Sequence, residues 1–251
     1  MVTVRAAGYV PPVGTLYVET LVAAGLDEVW ERTTDPDQHV RWDLRFSAII
    51  PQPADDQGRE AFTYRLDLPG RRLSGCGVSV GERRRGDGTR TSALRFAADD
   101  RLSPLAAGSG YWRFVPVPGG VRFLTGYSYG PGWGRLGALV DRPVLQPFLG
   151  WLTARSFDAL RIWLEHGLPP ERAHRRGAAD LALRGAAVAG AVLAVRRRHK
   201  LVRLVAAAAA GALVSALPAP DTVPRARRCL RRPPDRVSGR SPGSLARLAP
   251  P

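Results

Sequence analysis

Residues 16–43 read LYVETLVAAGLDEVWERTTDPDQHVRWD, and this stretch determines how the fold begins. Its first part is β-branched, aromatic and apolar, which predicts a strand over Thr15–Ala23. Acidic residues then open a predicted helix over Leu26–Thr34, where they complement the helix dipole. The pair Asp35-Pro36 is typical of an N-cap followed by proline in the first helical turn. A second short helix is therefore predicted to run toward Trp42.

Six further strands are predicted downstream, and glycine and proline turns separate them. They cover Leu44–Ile50, Ala61–Leu68, Arg72–Val80, Thr91–Ala98, Tyr111–Val117 and Val121–Tyr129. Apolar and polar residues alternate within the clearest of these strands, as is typical of half-buried antiparallel sheets. The sequence Pro118-Gly119-Gly120 predicts a tight hairpin between the last two strands. Strands and helices do not alternate, which argues against a parallel doubly wound sheet.

One long amphipathic helix is predicted to close the domain. Apolar residues recur at three- and four-residue spacing from Leu145 to Trp163 and form one face. Prolines crowd the beginning of this segment, and Gly167 followed by Pro169-Pro170 ends it. A sheet with one apolar face and a single amphipathic helix can bury both by curling the sheet around the helix. The sequence therefore predicts an α+β fold with a curved antiparallel sheet wrapped around a long C-terminal helix.

The chain resembles the START-like superfamily, also called SRPBCC, which includes polyketide cyclases and lipid-transfer domains. The resemblance is carried by residues 16–43 and by the closing SFDALRIWLEHG at residues 156–167, and it covers residues 14–168. It implies a helix-grip fold with a deep cavity between sheet and helix. It also implies that the cavity holds an apolar or amphipathic small molecule, without specifying which one.

Inward-facing side chains of the strands and of the long helix are predicted to line that cavity. They are Tyr64, Phe96, Trp112, Phe114, Tyr127, Tyr129, Phe148, Leu152 and Ser156. For each aromatic residue the alternative is a place in the packed core. Gly130, Gly132 and Gly134 follow the last strand and predict a flexible loop that gates the cavity mouth. A plain connector is the alternative for this loop.

The sequence predicts neither a metal site nor a cofactor. None of the four histidines pairs with another at ligand spacing, and His39 is predicted to be a solvated helix residue. Gly132, Gly134 and Gly137 match a dinucleotide-binding pattern, but no second strand follows the helix. We therefore interpret the glycine-rich segment as a loop.

Catalytic residues are not predicted either. The sequence lacks a nucleophile-elbow motif, and Cys76 lies in a strand among apolar residues as an inert thiol. The arginines that could polarise a bound carbonyl, as the resemblance to cyclases implies, are Arg65, Arg95, Arg113 and Arg122. All four occupy the face of their strands opposite to the apolar face, and we expect them to be solvated.

Most of the excess positive charge lies in the last third of the chain. Residues 1–168 contain 20 arginines against 18 acidic residues, whereas residues 169–251 contain 17 basic residues against four acidic ones. Two apolar stretches, Leu181–Val195 and Leu201–Leu217, flank a basic turn and predict a helical hairpin. Each spans about 22–26 Å, short of the ~30 Å hydrocarbon core of a bilayer. We expect this hairpin to insert into a membrane or dock on it; a hairpin folded on the domain is the alternative.

Proline, arginine, serine and glycine dominate from residue 218 onward and predict disorder. No aromatic residue follows Trp163, so no nucleic-acid partner is expected for this tail. The predicted organisation has an N-terminal extension over residues 1–13, the ligand-binding domain over 14–168, the hairpin over 169–217 and the tail over 218–251. No secretory signal is visible, and arginines flank the hairpin, so we expect the domain on the cytoplasmic side.

The sequence therefore favours a non-catalytic binder or carrier of a hydrophobic small molecule, lipid or polyketide-like, tethered to the membrane through residues 181–217. The first alternative is a polyketide cyclase or dehydratase, which an inward-facing arginine beside a tyrosine in the cavity would favour. The second is a membrane-tethered interaction module without ligand, which a collapsed cavity would favour.

Overall fold

The opening stretch folds as its sequence predicts. It forms strand β1 (Gly14–Val22) and the short helices α1 (Leu26–Thr34) and α2 (Pro36–Trp42). Asp35 caps α2, because its carboxylate accepts hydrogen bonds from the backbone amides of Asp37 and Gln38 at 2.8 and 3.2 Å. The computed structural model describes residues 14–54 and 59–246. The predicted extension over residues 1–13 lies outside them.

Six more strands complete one antiparallel sheet of order β1-β7-β6-β5-β4-β3-β2. They are β2 (Ala48–Gln52), β3 (Glu60–Leu68), β4 (Arg71–Arg84), β5 (Arg90–Ala98), β6 (Leu105–Val117) and β7 (Gly120–Pro131). The predicted tight hairpin joins β6 to β7, with Gly119 at a φ of 85°. Strand β2 begins four residues later than predicted, because the backbone turns after Asp43: the amides of Arg45 and Phe46 both bond back to that residue.

A long helix lies against one face of the sheet and ends as predicted. A short helix α3 (Gly134–Val140) and a π-helical turn (Asp141–Leu145) lead into α4 (Gln146–His166). Phe157 of α4 stacks on Phe123 of β7 with ring centroids 4.3 Å apart, and both are fully buried. Gly167 caps the helix with a φ of 63°. This is the predicted α+β helix-grip arrangement.

A helical hairpin follows, with α5 (Pro170–Ala194) and α6 (Lys200–Ala216). Only the beginning of α5 is buried against the domain, through Pro170, Ala173 and Gly177, and α6 has no buried residue. Large apolar side chains of both helices are exposed; they include Leu183, Leu193, Leu201, Leu204 and Leu213. Among the described residues, the hairpin is therefore buried against the domain at its base alone.

Disorder is predicted from residue 218 onward, but residues 219–246 are ordered and pack on the domain. We call them the strap. The strap contains a 3-10 turn (Ala226–Arg228) and a short helix α7 (Gly243–Ala246). Leu230 pairs with Glu19 of edge strand β1 through two backbone hydrogen bonds of 2.9 Å. Ala226 and Cys229 are buried in the main core cluster. A polar composition does not exclude order here, because hydrogen bonds and ion pairs such as Arg228–Asp158 help to hold the strap on the domain.

The strap also covers the outer face of the sheet, which corrects the prediction that the strand arginines are solvated. Arg113 is buried and donates hydrogen bonds to the backbone carbonyls of Val237, Ser238 and Arg240. Arg122 bonds to Glu19 and to the Ser238 hydroxyl, and Arg95 reaches the Leu245 carbonyl. Arg65 lies outside the strap and pairs with Asp67 at 3.1 Å. None of the four lines the cavity beneath the sheet.

Candidate functional site

A cavity of about 1510 Å³ lies between the sheet and the N-terminal half of α4. Its wall is mostly apolar and includes side chains of β3, β5, β6, β7 and α4. Six of the nine predicted lining residues are in that wall: Tyr64, Phe96, Trp112, Tyr127, Phe148 and Leu152. Alternation along the strands places these aromatic residues on the side facing α4.

The other three predicted lining residues lie in packed structure outside the cavity. Phe114 is fully buried and stacks on Phe123 at 4.9 Å. The Tyr129 hydroxyl donates to the buried Asp141 carboxylate at 2.8 Å. The Ser156 hydroxyl accepts from the Leu44 amide at 3.1 Å. These residues have the predicted inward orientation, but they lie where the sheet and α4 are in direct contact.

A buried carboxylate organises one polar corner of the cavity. The Asp43 side chain, which is 0% exposed, accepts two hydrogen bonds from Arg45, from Nε at 2.9 Å and from Nη2 at 2.6 Å. His39 Nε2 lies 3.1 Å from the same carboxylate. Both Arg45 and His39 line the cavity, and the Arg45 guanidinium lies 5.6 Å from the centre of the Tyr127 ring. We call Asp43, Arg45 and His39 the polar cluster.

The charges of the polar cluster balance one another at neutral pH. Burial disfavours the Asp43 carboxylate, but Arg45 and His39 outweigh that effect and hold its pKa well below the usual range. Burial also disfavours the charged form of Arg45, but the Asp43 carboxylate outweighs that effect, so the pKa of Arg45 is raised. For His39 burial prevails over the attraction of Asp43, so its pKa is lowered. The polar cluster therefore consists of one fixed guanidinium, one carboxylate and one neutral imidazole.

Sequence reasoning missed the polar cluster. His39 was predicted to be solvated, but it is only 5% exposed and stacks on Trp42 with ring centroids 4.9 Å apart. The predicted strand over Leu44–Ile50 includes Arg45, and nothing in that strand pattern indicates a role for its side chain in the cavity. The signal was the spacing of Asp43 and Arg45 directly after a helix end, since a carboxylate there can bond both the turn backbone and a side chain two residues on.

The glycine-rich segment brings backbone segments close together. A Cβ on Gly132 would lie 2.0 Å from the Ser103 carbonyl oxygen, and one on Gly137 would lie 1.7 Å from the Gly132 oxygen. Gly134 has a φ of 55°, and Gly130 pairs with Ala107 at the end of β7. Close packing is thus one reason for glycine here. The gating role of Gly130, Gly132 and Gly134 stays a prediction.

Because two histidines are buried, we expect the free energy of unfolding to fall in mild acid. Burial lowers the pKa of both His39 and His174. The unfolded chain binds these protons near pH 6.5, so this stabilisation is complete above that pH and is lost as the pH falls below it. We expect the free energy of unfolding to fall by up to ~1.4 kcal/mol per pH unit for each histidine. Urea unfolding at pH 7.5, 6.5 and 5.5 measures this loss.

Matched variants distinguish the contribution of His39 and His174 to this pH dependence from that of other titratable groups. Replacing both, with His39→Gln and His174→Gln, is expected to flatten the dependence between pH 7.5 and 5.5. The exposed His166→Gln should leave it unchanged. An equally steep dependence in the double variant would contradict the assignment.

One helix within residues 14–54 and 59–246, α5, is long and apolar enough to cross a membrane, judged by length and composition. Only 6% of its apolar window is buried inside the protein. Its partner α6 has 17 residues.

Comparison with known proteins gives one curated relative and several solved structures. No protein-family model matches the chain. The chain is 40% identical over 159 residues to the uncharacterized membrane protein YndG of Bacillus subtilis (strain 168). The match covers 62% of this chain and 59% of the relative, so the chain spans about three-fifths of that protein.

Three solved structures illustrate the likeness of fold. A STAR-related lipid transfer protein from Xanthomonas axonopodis is 20% identical, with a TM-score of 0.46 over 64% of this chain and 97% of that one. The di-domain ARO/CYC StfQ of the steffimycin biosynthetic pathway is 15% identical, with a TM-score of 0.45 over 64% and 52%. A START superfamily protein from Mycobacterium smegmatis is 12% identical, with a TM-score of 0.44 over 61% and 99%. The fold assignment itself rests on the element order, sheet register and helix position described above.

Proposed function

We propose that the chain binds and carries a hydrophobic small molecule, of lipid or polyketide type, in the cavity beneath its sheet, and that it does so at a membrane. The cavity is the observation that carries this proposal. Its volume of about 1510 Å³ exceeds the roughly 300–1,000 Å³ that is usual for small-molecule pockets. A wall that is mostly apolar favours a ligand whose own surface is mostly apolar, because burying that surface drives binding.

The polar cluster narrows the chemistry of the ligand. Asp43 holds two nitrogens of Arg45, which fixes the guanidinium in the cavity wall beside Tyr127. Since Asp43 already balances the Arg45 charge, an anionic ligand group would add an uncompensated buried charge. A neutral carbonyl or hydroxyl oxygen fits better, because it accepts a charge-assisted hydrogen bond without that cost. The proposed ligand is therefore a long or polycyclic apolar molecule with a neutral oxygen group.

The membrane part of the proposal rests on the hairpin. Its leucines are exposed along both helices, and α6 is not buried anywhere. An apolar surface of this extent usually marks an interaction site. Because the strap folds back onto the domain, both ends of the hairpin lie on the domain side of the membrane, and the arginines at its base favour the cytoplasmic side.

A polar substitution in the cavity wall is expected to weaken ligand binding. Leu94→Gln places an unpaired amide against the apolar ligand, which costs about 1–3 kcal/mol, or about 5- to 150-fold in affinity. Native mass spectrometry of the full chain released from detergent, followed by organic extraction, measures the bound fraction. The exposed Leu21→Gln on β1 is the matched control and should retain the parent level. Equal occupancy in all three proteins, or an empty parent protein, would refute the proposed cavity ligand.

A second candidate function is a cyclase or dehydratase acting on a polyketide-like chain. The observation that favours it is the inward-facing Arg45 beside Tyr127, with the His39–Asp43 pair adjoining. A fixed guanidinium can polarise a carbonyl, and a neutral imidazole can accept a proton. The two functions differ in what leaves the cavity. A carrier releases its ligand unchanged, whereas a dehydratase releases a product lighter by one water molecule, which mass spectrometry distinguishes. The open cavity gives no support to an interaction module with a filled core.

A further inference from the structure

The rim of the cavity carries a concentration of exposed apolar side chains. We call this set the collar; it consists of Leu102, Trp133, Leu136, Leu139, Val144 and Phe148, which are 45–73% exposed. Three of them, Leu102, Trp133 and Phe148, also line the cavity, so the collar and the cavity wall are continuous. The Trp133 indole donates to the Leu102 carbonyl at 3.0 Å and joins the two sides of the collar. Exposed apolar surface of this size at a cavity mouth calls for a partner.

Exposed arginines edge the collar: Arg101, Arg135 and Arg142 lie beside it in sequence. Asp99 and Asp100 precede Arg101, and Asp100 pairs with Arg71 at 3.1 Å. The acid within residues 133–148, Asp141, is fully buried and bonded to Tyr129. An apolar surface containing tryptophan and edged by arginine fits the interface of an anionic bilayer, where arginine meets phosphate and the indole lies at headgroup level.

The hairpin points toward the same end of the domain. Arg41 stacks on Trp163 of α4 and pairs with Glu171 near the beginning of α5. Six residues further along α5, Gly177 packs against Arg155 of α4. Thus α5 runs antiparallel to α4, back toward the collar. At 1.5 Å per residue, residues 178–194 extend about 25 Å beyond this contact, whereas α4 has only about 14 Å left before its own N-terminus.

We infer that the collar rests on the surface of the same anionic bilayer that receives the hairpin, so that the cavity opens directly onto the membrane. This inference rests on the proposed membrane association and adds an orientation to it. Because α5 extends only about 11 Å further than the N-terminus of α4, well short of the ~30 Å hydrocarbon core, the basic tip over residues 196–200 stays on the near side of the bilayer while the collar lies at its surface. The ligand then passes between bilayer and cavity without crossing water.

Single fluorescent labels test the orientation in the full chain. A Cys76→Ser, Cys229→Ser background receives one new cysteine: Leu136→Cys in the collar, Leu204→Cys in α6, or His166→Cys at the opposite end of α4. Each protein carries an NBD label and is mixed with phosphatidylglycerol vesicles whose acyl chains are brominated. We expect the labels at 136 and 204 to lose most of their emission, and the label at 166 to lose none.

Other outcomes distinguish the two proposals. Quenching at 204 alone would leave membrane association standing and overturn the orientation. No quenching at any position would overturn both. A blue shift at 136 that depends on protein concentration and needs no vesicles would show a second copy of the chain on the collar, which also overturns the inference.

Hydrogen exchange in the unmodified chain gives a second measurement that needs no variant. We expect vesicles to slow amide exchange over residues 132–148 and not over residues 163–168. Unchanged exchange over 132–148 in vesicles that do protect α6 would overturn the orientation.

Discussion

Replacing Asp158 with alanine is expected to lower the free energy of unfolding by about 3–5 kcal/mol, the usual effect of removing one partner from a buried ionic network. Asp158 is fully buried on α4. Its carboxylate accepts hydrogen bonds from Arg161 Nε at 2.8 Å, from Arg228 Nη1 at 3.0 Å and from the Arg225 amide at 2.7 Å. Two of these donors belong to the strap, so the variant both leaves buried donors unpaired and loosens the strap. Urea unfolding in a fixed detergent measures the loss.

The matched control for this variant is Asp221→Ala. Asp221 binds the same arginine, through Arg228 Nη2 at 3.1 Å, but its side chain is 81% exposed. Exposed ion pairs contribute about 0–1 kcal/mol, so this variant should remain close to the parent protein. Similar losses in both variants would mean that the strap contributes little to the stability of the domain.

Replacing Arg45 with methionine is expected to affect both ligand binding and stability. In the proposed function, the ligand loses the guanidinium donor of the polar cluster, and we expect an affinity loss of at least about tenfold, since a hydrogen bond to a charged group contributes ~1.5–3 kcal/mol. Asp43 is left as a buried carboxylate without its cation, which costs about 3–5 kcal/mol of unfolding free energy. Ligand occupancy and urea unfolding are measured on the same protein.

The double variant Asp43→Asn, Arg45→Met separates the two effects. It removes the uncompensated charge, so much of the stability should return while ligand occupancy stays low. Arg65→Met is the control, because Arg65 pairs with Asp67 outside the cavity and is partly exposed. Parent-like occupancy in Arg45→Met would place the polar end of the ligand elsewhere.

Local sequence patterns predicted the helices and strands and the face of the sheet on which each side chain lies. They did not predict whether an inward-facing side chain lines the cavity or packs in the core. Alternation along β6 predicts that the side chains of both Trp112 and Phe114 face α4, and in the structure both do. Only Trp112 lines the cavity, because depth depends on where the helix approaches the sheet, and that is set by residues far away in sequence. Local sequence also placed Gly167 at the end of α4, since a helix end needs a left-handed residue nearby.

The parts that could not be predicted depend on contacts between distant residues. Asp158 accepts hydrogen bonds from Arg225 and Arg228, and Glu19 pairs with Leu230. No periodic pattern in the sequence predicts either contact. Composition alone made residues 219–246 resemble a disordered tail. The polar cluster was missed for a related reason: His39 is buried against Phe46 and Trp112, which lie outside its own helix.

The strap has a consequence for the order of events during synthesis. A ribosome releases β1 and its sheet partner β7 before the hairpin, whereas Leu230, which bonds to the backbone of Glu19 at the other edge of β1, emerges only after it. The domain therefore cannot reach its final core before the strap has been translated, and pairings of such long sequence separation form slowly. In the proposed membrane association, the apolar hairpin is then available to the bilayer while the domain is still incomplete, and the strap fixes the globular part afterwards.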